Sequence, residues 1–196
     1  MKTPKTCEKC ELGLTCNNPC VWGNGDVNAD LLLVGEAPGF DEDKKREPFI
    51  GQAGQLLNHV LNKLSINRSS VYVTNVIKCR PPKNQLPKGA DLEVIADACW
   101  PHLQRELQAV DPKVVVLMGG TALTTLTGER YITRVEGMEV DTVYEGAKTI
   151  ACYHPAYVLR SPSKESCMAR ALYRAAKLAG LKPNGIGWEF GVFDYE

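Results

Sequence analysis

The fold is decided by Asp30-Leu-Leu-Leu-Val-Gly-Glu-Ala-Pro-Gly39, an apolar run that ends in a polar turn. Residues 31–35 contain no polar side chain, which is typical of a strand buried on both faces of a sheet. Pro38 and Gly39 then predict a turn. Because such a strand needs cover on both of its faces, the stretch favours an α/β protein with a parallel sheet.

Further along the chain, apolar runs alternate with segments of helical spacing. The runs predict three more strands, at residues 71–77, 113–118 and 149–153. Apolar residues every three or four positions predict helices over 54–64, 92–110, 121–126 and 166–178. Pro101 is expected to kink the second of these helices or to open a new one. Strands that alternate with helices predict a mainly parallel sheet covered on both faces.

Three polar residues follow the predicted strands: Glu36 after the first, Asn75 at the end of the second, and His154 after the fourth. In open α/β sheets, ligands bind beyond the carboxyl ends of the strands, so these side chains are expected to converge. The Asn75 amide offers one donor and one acceptor, as the edge of a pyrimidine requires. The turn at residues 35–39 matches neither the dinucleotide-binding nor the P-loop pattern.

Composition excludes several other classes of protein. The 196 residues carry 23 basic and 23 acidic side chains, which fits a single globular domain of zero net charge. The longest apolar run, residues 114–118, is too short to cross a bilayer. Residues 160–182 are strongly basic and follow His154, so they could hold phosphates beside a site. No apolar leader precedes Cys7, which favours a cytoplasmic protein.

The eight cysteines favour a metal over disulfides, because a chain of this length without a leader is expected to keep its thiols reduced. Cys7 and Cys10 have the C-x-x-C spacing that lets two thiolates reach one metal or cluster. The other two histidines, His59 and His102, are interpreted as surface or packing residues.

Taken together, the motifs resemble the family 4 uracil-DNA glycosylases, the iron–sulfur branch of the uracil-DNA glycosylase superfamily. Each motif is weak alone, but the ordered set is specific and extends over about residues 7–178. Besides Cys7-x-x-Cys10, the matching segments are Gly35-Glu-Ala-Pro-Gly39 with Glu42-Asp43, Pro48-Phe-Ile-Gly-Gln-Ala-Gly-Gln-Leu-Leu57, Tyr72-Val-Thr-Asn-Val-Ile-Lys-Cys-Arg-Pro-Pro82 and Tyr153-His-Pro-Ala-Tyr-Val-Leu-Arg160.

The resemblance implies a three-layer α/β/α fold with a central four-stranded parallel sheet, formed by residues 1–182. The tail, residues 183–196, looks unlike a normal family ending and could lead into another domain of a longer protein.

The resemblance also implies a [4Fe–4S] cluster, with four thiolate ligands: Cys7, Cys10, Cys79 and Cys99. One departure is that Cys79 and Cys99 stand 20 positions apart, farther than the family pattern, so the loop between them is longer. A rival is a local zinc knuckle formed by the first four cysteines, Cys7, Cys10, Cys16 and Cys20. The remaining two, Cys152 and Cys167, are interpreted as small buried hydrophobes.

By the same resemblance, a uracil flipped out of DNA would stack on Phe49 and be distinguished from cytosine by Asn75. His154 would stabilise the negative charge that develops on the uracil oxygen O2. The backbone near Glu36, with Ala37 and Gly39 in the uracil-binding turn, would help to hold that oxygen.

Two features of the implied reaction depend on single positions. The best-known uracil glycosylases have an aspartate where this chain has Ala37, so the water-activating carboxylate is Glu36 as first choice and Asp43 as second. The tip Val158-Leu159-Arg160 would wedge into the duplex and contact phosphate, filling the space left by the flipped base.

The predicted partner is therefore uracil-containing DNA, single- or double-stranded, bound by a monomer in the cytoplasm of a bacterial, archaeal or phage-infected cell. One alternative is a non-catalytic DNA-binding module of a larger replication protein, for example from a phage. A small-molecule hydrolase using Glu36 and His154 would leave the cysteines and the basic stretch without a role. A glycosylase that traps itself on DNA through a histidine is also disfavoured, because His102 falls in a predicted helix.

Overall fold

A computed structural model describes residues 7–184 of the chain. No helix within that range is long and apolar enough to cross a membrane. The predicted tail lies outside the described residues from position 185 onward. Before that point the chain is still attached to the fold, since the Asn184 amide donates to the Leu64 carbonyl at 2.8 Å.

The centre of the molecule is a five-stranded sheet. Its strands are β1 Asn24–Gly25, β2 Leu31–Gly35, β3 Tyr72–Asn75, β4 Val114–Met118 and β5 Lys148–Cys152. Their order across the sheet is β1-β3-β2-β4-β5. The four longer strands run parallel, as the sequence predicts.

The fifth strand is an addition to the predicted four. β1 pairs antiparallel with the edge of β3, where Asn24 lies opposite Val73. Two residues without an apolar pattern carry no strand signal, and β1 forms because the neighbouring edge of β3 offers free backbone groups. The sheet is therefore mainly parallel rather than wholly so.

Eight α-helices surround the sheet within residues 7–184. They are α1 Leu12–Thr15, α2 Phe40–Lys45, α3 Gln52–Lys63, α4 Ala90–Val110, α5 Gly120–Thr127, α6 Ile132–Val135, α7 Pro155–Arg160 and α8 Glu165–Leu178. Every predicted helix is present. Pro101 lies inside α4, which continues as one helix and does not divide there.

The alternation of side chains along the strands separates two hydrophobic cores. Leu31 and Leu33 of β2 face one side, where they pack with residues of α3 and α8. Leu32 and Val34 face the other side, toward α4 and α5. The architecture is thus three-layered, α/β/α, as expected from the resemblance. Its parallel strands bring the ends of β2, β3 and β5 to a common edge.

Candidate active site and metal centre

A cavity of about 340 Å³ opens at the carboxyl edge of the sheet. Its volume lies at the lower end of the range of about 300–1,000 Å³ that is usual for small-ligand sites. The lining includes six of the residues predicted or implied to bind or act on uracil: Glu36, Ala37, Gly39, Phe49, Asn75 and His154. Glu42, from the same acidic turn, also lines it. This edge is therefore the candidate active site, and it is called the cavity below.

The register of the sheet brings Asn75 beside the first predicted turn, because Gly35 of β2 pairs with Asn75 of β3. Gly35 has no room for a side chain: a Cβ there would lie 2.4 Å from Cζ of Phe49 and 2.6 Å from Oδ1 of Asn75. The ring of Phe49 and the amide of Asn75 therefore both approach the strand end closely. Gly35 makes this approach possible.

The Asn75 side chain is buried, and its Oδ1 atom has no hydrogen-bond partner within the described part of the chain. A buried acceptor left unpaired costs about 1–3 kcal/mol, so such atoms in binding sites commonly await a ligand donor. Asn75 also lines the cavity. The acceptor is therefore available to a ligand N–H.

Phe49 forms an aromatic wall of the cavity and is held in an unusual backbone conformation. It is buried, with a φ of 57°, in the left-handed region that residues with side chains seldom adopt. The Glu42 carboxylate fixes the adjoining loop, since its Oε1 accepts from the amides of Ile50 at 3.0 Å and Gly51 at 2.8 Å. The same carboxylate accepts from the Gly39 amide through Oε2 at 3.1 Å. Glu42 thus ties together the two loops that line the cavity.

His154 is half-buried at the start of α7, with its ring 5.9 Å from that of Phe49. Its Nδ1 accepts a hydrogen bond from the Ala156 amide at 3.1 Å. Burial, with a smaller contribution from the charge of Arg160, lowers the pKa of His154 to about 4. The ring is therefore neutral at pH 7, and the bond at Nδ1 assigns the single proton to Nε2, leaving an N–H donor there.

The two carboxylates considered as water activators have different surroundings. Glu36 lines the cavity, and its Oε2 accepts from the Thr121 hydroxyl of α5 at 2.5 Å. Asp43 is fully buried and does not appear in the cavity lining. Its two oxygens accept from the Asn17 side chain at 2.7 Å and the Asn18 amide at 2.8 Å, so it anchors the N-terminal segment.

The predicted DNA-contacting tip is divided between core and surface. Val158 is buried in the core beside α8, whereas Leu159 is 44% exposed and Arg160 is exposed. Phe40, which lines the cavity, has an exposed ring whose centre lies 4.9 Å from the guanidinium of Arg80. The predicted tip therefore exposes one apolar side chain and one cation, while Val158 packs in the core.

The second site is a group of buried and half-buried sulfur atoms around α4. Cys7 Sγ lies 3.9 Å and Cys20 Sγ 4.0 Å from His102 Nε2, and these three ligand atoms lie within 4.8 Å of one another. The Cys20 amide donates to Cys79 Sγ at 3.4 Å. Cysteine and histidine at such spacing form a metal-binding group.

The thiols of Cys10, Cys16 and Cys99 lie close enough to this group to interact with Cys79 or with one another. Burial and the nearby Cys79 raise the pKa of Cys16 to about 12. Burial, with smaller contributions from Cys79 and Cys10, raises the pKa of Cys99 to about 11. A bound cation reverses this preference and favours the thiolates. The metal centre, as the term is used below, comprises Cys7, Cys10, Cys16, Cys20, Cys79, Cys99 and His102.

Of the four cysteines that the resemblance implies, only Cys7 belongs to the compact group of Cys7, Cys20 and His102 within the described residues, and Cys10, Cys79 and Cys99 lie near it. The sequence predicts a surface or packing role for His102, but this residue belongs to the metal-binding group. It follows Cys99 by three positions in α4, so the two side chains lie on the same face of the helix. A zinc knuckle formed only by residues 7–20 does not account for Cys79, in the loop after β3, or for His102 of α4, which both lie beside Cys20. Cys152 is buried in the core, as predicted, whereas Cys167 is only partly buried and packs against that core.

Comparison with known proteins agrees with this geometry. The model of the uracil DNA glycosylase superfamily matches residues 22–177. A type-4 uracil-DNA glycosylase of Archaeoglobus fulgidus is 40% identical over 184 residues, covering 90% of both chains. One from Thermotoga maritima is 39% identical over 163 residues, covering 82% of both.

A DNA polymerase of Bacillus phage SP01 is also similar, with 30% identity over 166 residues, which make up 84% of this chain and 17% of the polymerase. The family match covers most of the chain and includes the cavity, and the type-4 enzymes match it over nearly their whole length. The chain therefore belongs to the uracil DNA glycosylase superfamily, as a relative of its type-4 members.

Proposed function

We propose that this chain is a DNA repair enzyme that flips uracil out of DNA and hydrolyses its N-glycosidic bond, leaving an abasic site. The observation that carries the proposal is the unpaired Oδ1 of buried Asn75, which lies in a cavity walled by Phe49 and His154. Type-4 relatives named uracil-DNA glycosylases support the assignment.

Recognition would begin with the flipped base stacked on the Phe49 ring. Uracil presents an N3–H donor beside its O4 acceptor, and the Asn75 amide matches both through Oδ1 and Nδ2. Cytosine has an acceptor at N3 and an amino group at C4, so it would leave a buried polar group unpaired against the same amide. Asn75 is therefore the proposed specificity residue.

Cleavage breaks the bond between C1′ and N1, and the bonding electrons leave on the uracil ring. The Nε2–H donor of neutral His154 would stabilise the charge that collects on O2. Ala37 and Gly39 line the cavity in the turn after β2, and their backbone would help to hold the same oxygen. A water oxygen then bonds to C1′ and gives up a proton, for which Glu36 is the proposed acceptor because Thr121 holds it at the cavity. Asp43, already bonded to Asn17 and Asn18, is the weaker candidate.

DNA binding is proposed to use Leu159 as the wedge and Arg160 as a phosphate contact, because both are exposed close to His154. Val158, which was included in the predicted tip, would hold the tip on the core. The proposed substrate is uracil in single- or double-stranded DNA, and the exposed side chain of Leu159 favours activity on duplex DNA. A monomer acting in the cytoplasm remains a prediction.

The metal centre is proposed to hold a [4Fe–4S] cluster on Cys7, Cys10, Cys79 and Cys99. The type of donor supports this, since iron–sulfur clusters are held by thiolates, and Cys10, Cys79 and Cys99, from three segments of the chain, lie close enough to interact electrostatically. A cluster held there would cross-link those segments, which is a structural contribution. Cys16, Cys20 and His102 would surround it, and zinc is the alternative occupant.

The test is uracil release from single- and double-stranded oligonucleotides by metal-loaded protein, with matched cytosine and thymine oligonucleotides as controls. We expect release from uracil DNA and a strong loss of that release in Asn75→Asp and His154→Ala.

The cofactor is tested on the same protein preparation, which should be brown and contain iron. Stoichiometric zinc in colourless protein would exclude the cluster.

A second candidate function is a non-catalytic DNA-binding module of a larger replication protein. The phage DNA polymerase favours it, because this chain resembles a segment that makes up 17% of that protein. Binding of uracil DNA by metal-loaded protein without any base release would support this candidate and exclude the enzyme.

A further inference from the structure

Between the cavity and the metal centre lies a fully buried ion pair, Lys78 with Glu106. The Lys78 ammonium has three donors, and all three are used. It donates to the Thr74 hydroxyl at 2.7 Å, to the backbone carbonyl of Asn75 at 2.6 Å, and to Oε2 of Glu106. One of these acceptors therefore belongs to the residue proposed to read uracil.

Glu106, on α4, gathers the opposite side of the network. Its Oε1 accepts from the Gly23 amide at 2.6 Å and from the Tyr72 hydroxyl at 3.1 Å. Its Oε2 accepts from the Thr74 hydroxyl at 2.8 Å as well as from Lys78. The carboxylate is thus fully satisfied by the N-terminal segment, β3 and the loop that follows it.

Members of this network adjoin the metal centre in the sequence. Lys78 precedes Cys79, Glu106 follows His102 by one helical turn, and Gly23 lies three residues after Cys20. The Val21 amide also donates to the Lys78 carbonyl at 2.7 Å. The ion pair is therefore the polar connection between the segments that carry the metal ligands and the backbone of Asn75.

A buried ion pair is weak evidence for stability, because desolvation offsets its Coulombic attraction. An apolar pair of the same volume would fill this space at similar stability. A charged pair in which every donor and acceptor is hydrogen-bonded instead fixes the positions of its partners, because hydrogen bonds form only over a narrow range of angles. The network therefore needs an explanation beyond stability.

We propose that Lys78 and Glu106 are positioning residues, which hold the backbone of Asn75 in place against the metal centre so that its amide selects uracil. This inference rests on the proposed function and adds two residues to it. Neither residue contacts the base. Both act through Asn75.

The decisive variant is the double substitution Lys78→Met with Glu106→Gln. It removes both charges together, so no buried charge is left without a partner. The new glutamine can still accept from the Gly23 amide and the Tyr72 hydroxyl through its oxygen, which preserves the metal side of the network. The three hydrogen bonds of the Lys78 ammonium are lost, among them the one to the Asn75 carbonyl, and the glutamine amide can donate to the Thr74 hydroxyl.

A matched control is Lys113→Met with Asp30→Asn. These residues also form an ion pair, at 3.1 Å, but it is exposed and precedes β4 and β2 at the opposite edge of the sheet. The control changes the same number of charges of the same signs, away from both sites.

We expect the double variant to keep the metal content and visible absorption of the wild type. Its kcat on uracil DNA should fall at least tenfold with KM within twofold, because DNA contacts are made by other residues. Its preference for uracil over cytosine should fall as well. The control pair should match the wild type in all five measurements.

Wild-type kcat and selectivity in a folded, metal-loaded double variant would overturn the proposal. If the double variant does not fold, Thr74→Val removes one hydroxyl from the same network without changing a charge. We then expect a fall in kcat of about threefold with metal content unchanged, and an unchanged kcat would overturn the proposal equally. Inactive wild-type protein would instead reject the proposed function itself.

Discussion

Asn75 of the cavity and Cys79 of the metal centre stand four positions apart in the sequence, but the side chains of the two sites are satisfied in different ways. In the cavity, Asn75 Oδ1 has no partner in the described protein and His154 keeps a free Nε2–H, so the groups await a ligand. At the metal centre the donors outnumber what a single four-thiolate cluster needs. Substitutions in the cavity should therefore lower activity with little effect on stability, and substitutions at the metal centre should lower stability more than activity.

The largest expected effect on activity is in the cavity, for His154→Asn. Asparagine preserves an acceptor for the Ala156 amide at the start of α7, but it removes the ring donor at Nε2. Loss of one such donor commonly lowers kcat by about 10²–10³-fold. Uracil release should fall by that factor with the thermal unfolding midpoint close to that of the wild type.

The control for this variant is His59→Asn, at an exposed position of α3. It should behave as wild type in both measurements. A His154→Asn protein with nearly full activity would show that the ring does not stabilise the leaving base.

The second prediction concerns the metal centre and compares Cys99→Ser with Cys152→Ser. Cys99→Ser should lose iron and visible absorption and should unfold at a lower temperature, because the segments it joins are no longer cross-linked. Cys152 is buried in the core away from the centre, so its variant should retain the metal. Metal analysis and thermal unfolding measure both.

Cys20→Ser makes this comparison sharper. If the proposed four ligands are right, Cys20→Ser retains its iron. Loss of metal from Cys20→Ser, with retention in Cys99→Ser, would identify the compact group of Cys7, Cys20 and His102 as the binding site instead.

A third and smaller effect separates neighbouring residues of α7. Leu159 is exposed, so Leu159→Ala should reduce activity on duplex DNA about tenfold while leaving release from single strands unchanged, if it fills the space of the flipped base. Val158 is buried, and Val158→Ala should instead lower the free energy of unfolding by about 1–2 kcal/mol, as small truncations of core side chains do. Equal losses on single- and double-stranded DNA for Leu159→Ala would exclude the wedge.

The smallest effect is the pH dependence of stability. The pKa of His154 is lowered to about 4 in the folded state, below its ordinary value of about 6.5. As the pH falls from 6.5 toward 4, the unfolded chain takes up this proton and the folded chain does not, so stability is lost over that interval. The unfolding midpoint of the wild type should therefore drop more steeply than that of His154→Asn, while His59→Asn keeps the wild-type slope.

Much of this architecture follows from local sequence patterns. The apolar run at residues 31–35 predicts its strand because uniform burial requires uniform apolar character. The ends of such strands indicate three candidate site residues, Glu36, Asn75 and His154, and all three line one cavity. Strand β1 was not predicted, because its two residues take their structure from the edge of β3 and carry no pattern of their own.

The sequence by itself determined the class of fold, the family and the types of side chain at each site, since periodicity and ordered motifs are properties of the chain. Two contacts of the sites become visible only in the folded molecule: His102 lies beside Cys7 and Cys20, and Lys78 donates to the Asn75 carbonyl. The same holds for the anchoring of residues 17 and 18 by Asp43 and for the burial of Val158 in the core. The physical reason is that these contacts join residues distant in sequence or depend on which face of a helix is covered. Tertiary packing determines these long-range contacts and the buried face of each helix, and a local sequence pattern specifies neither of them.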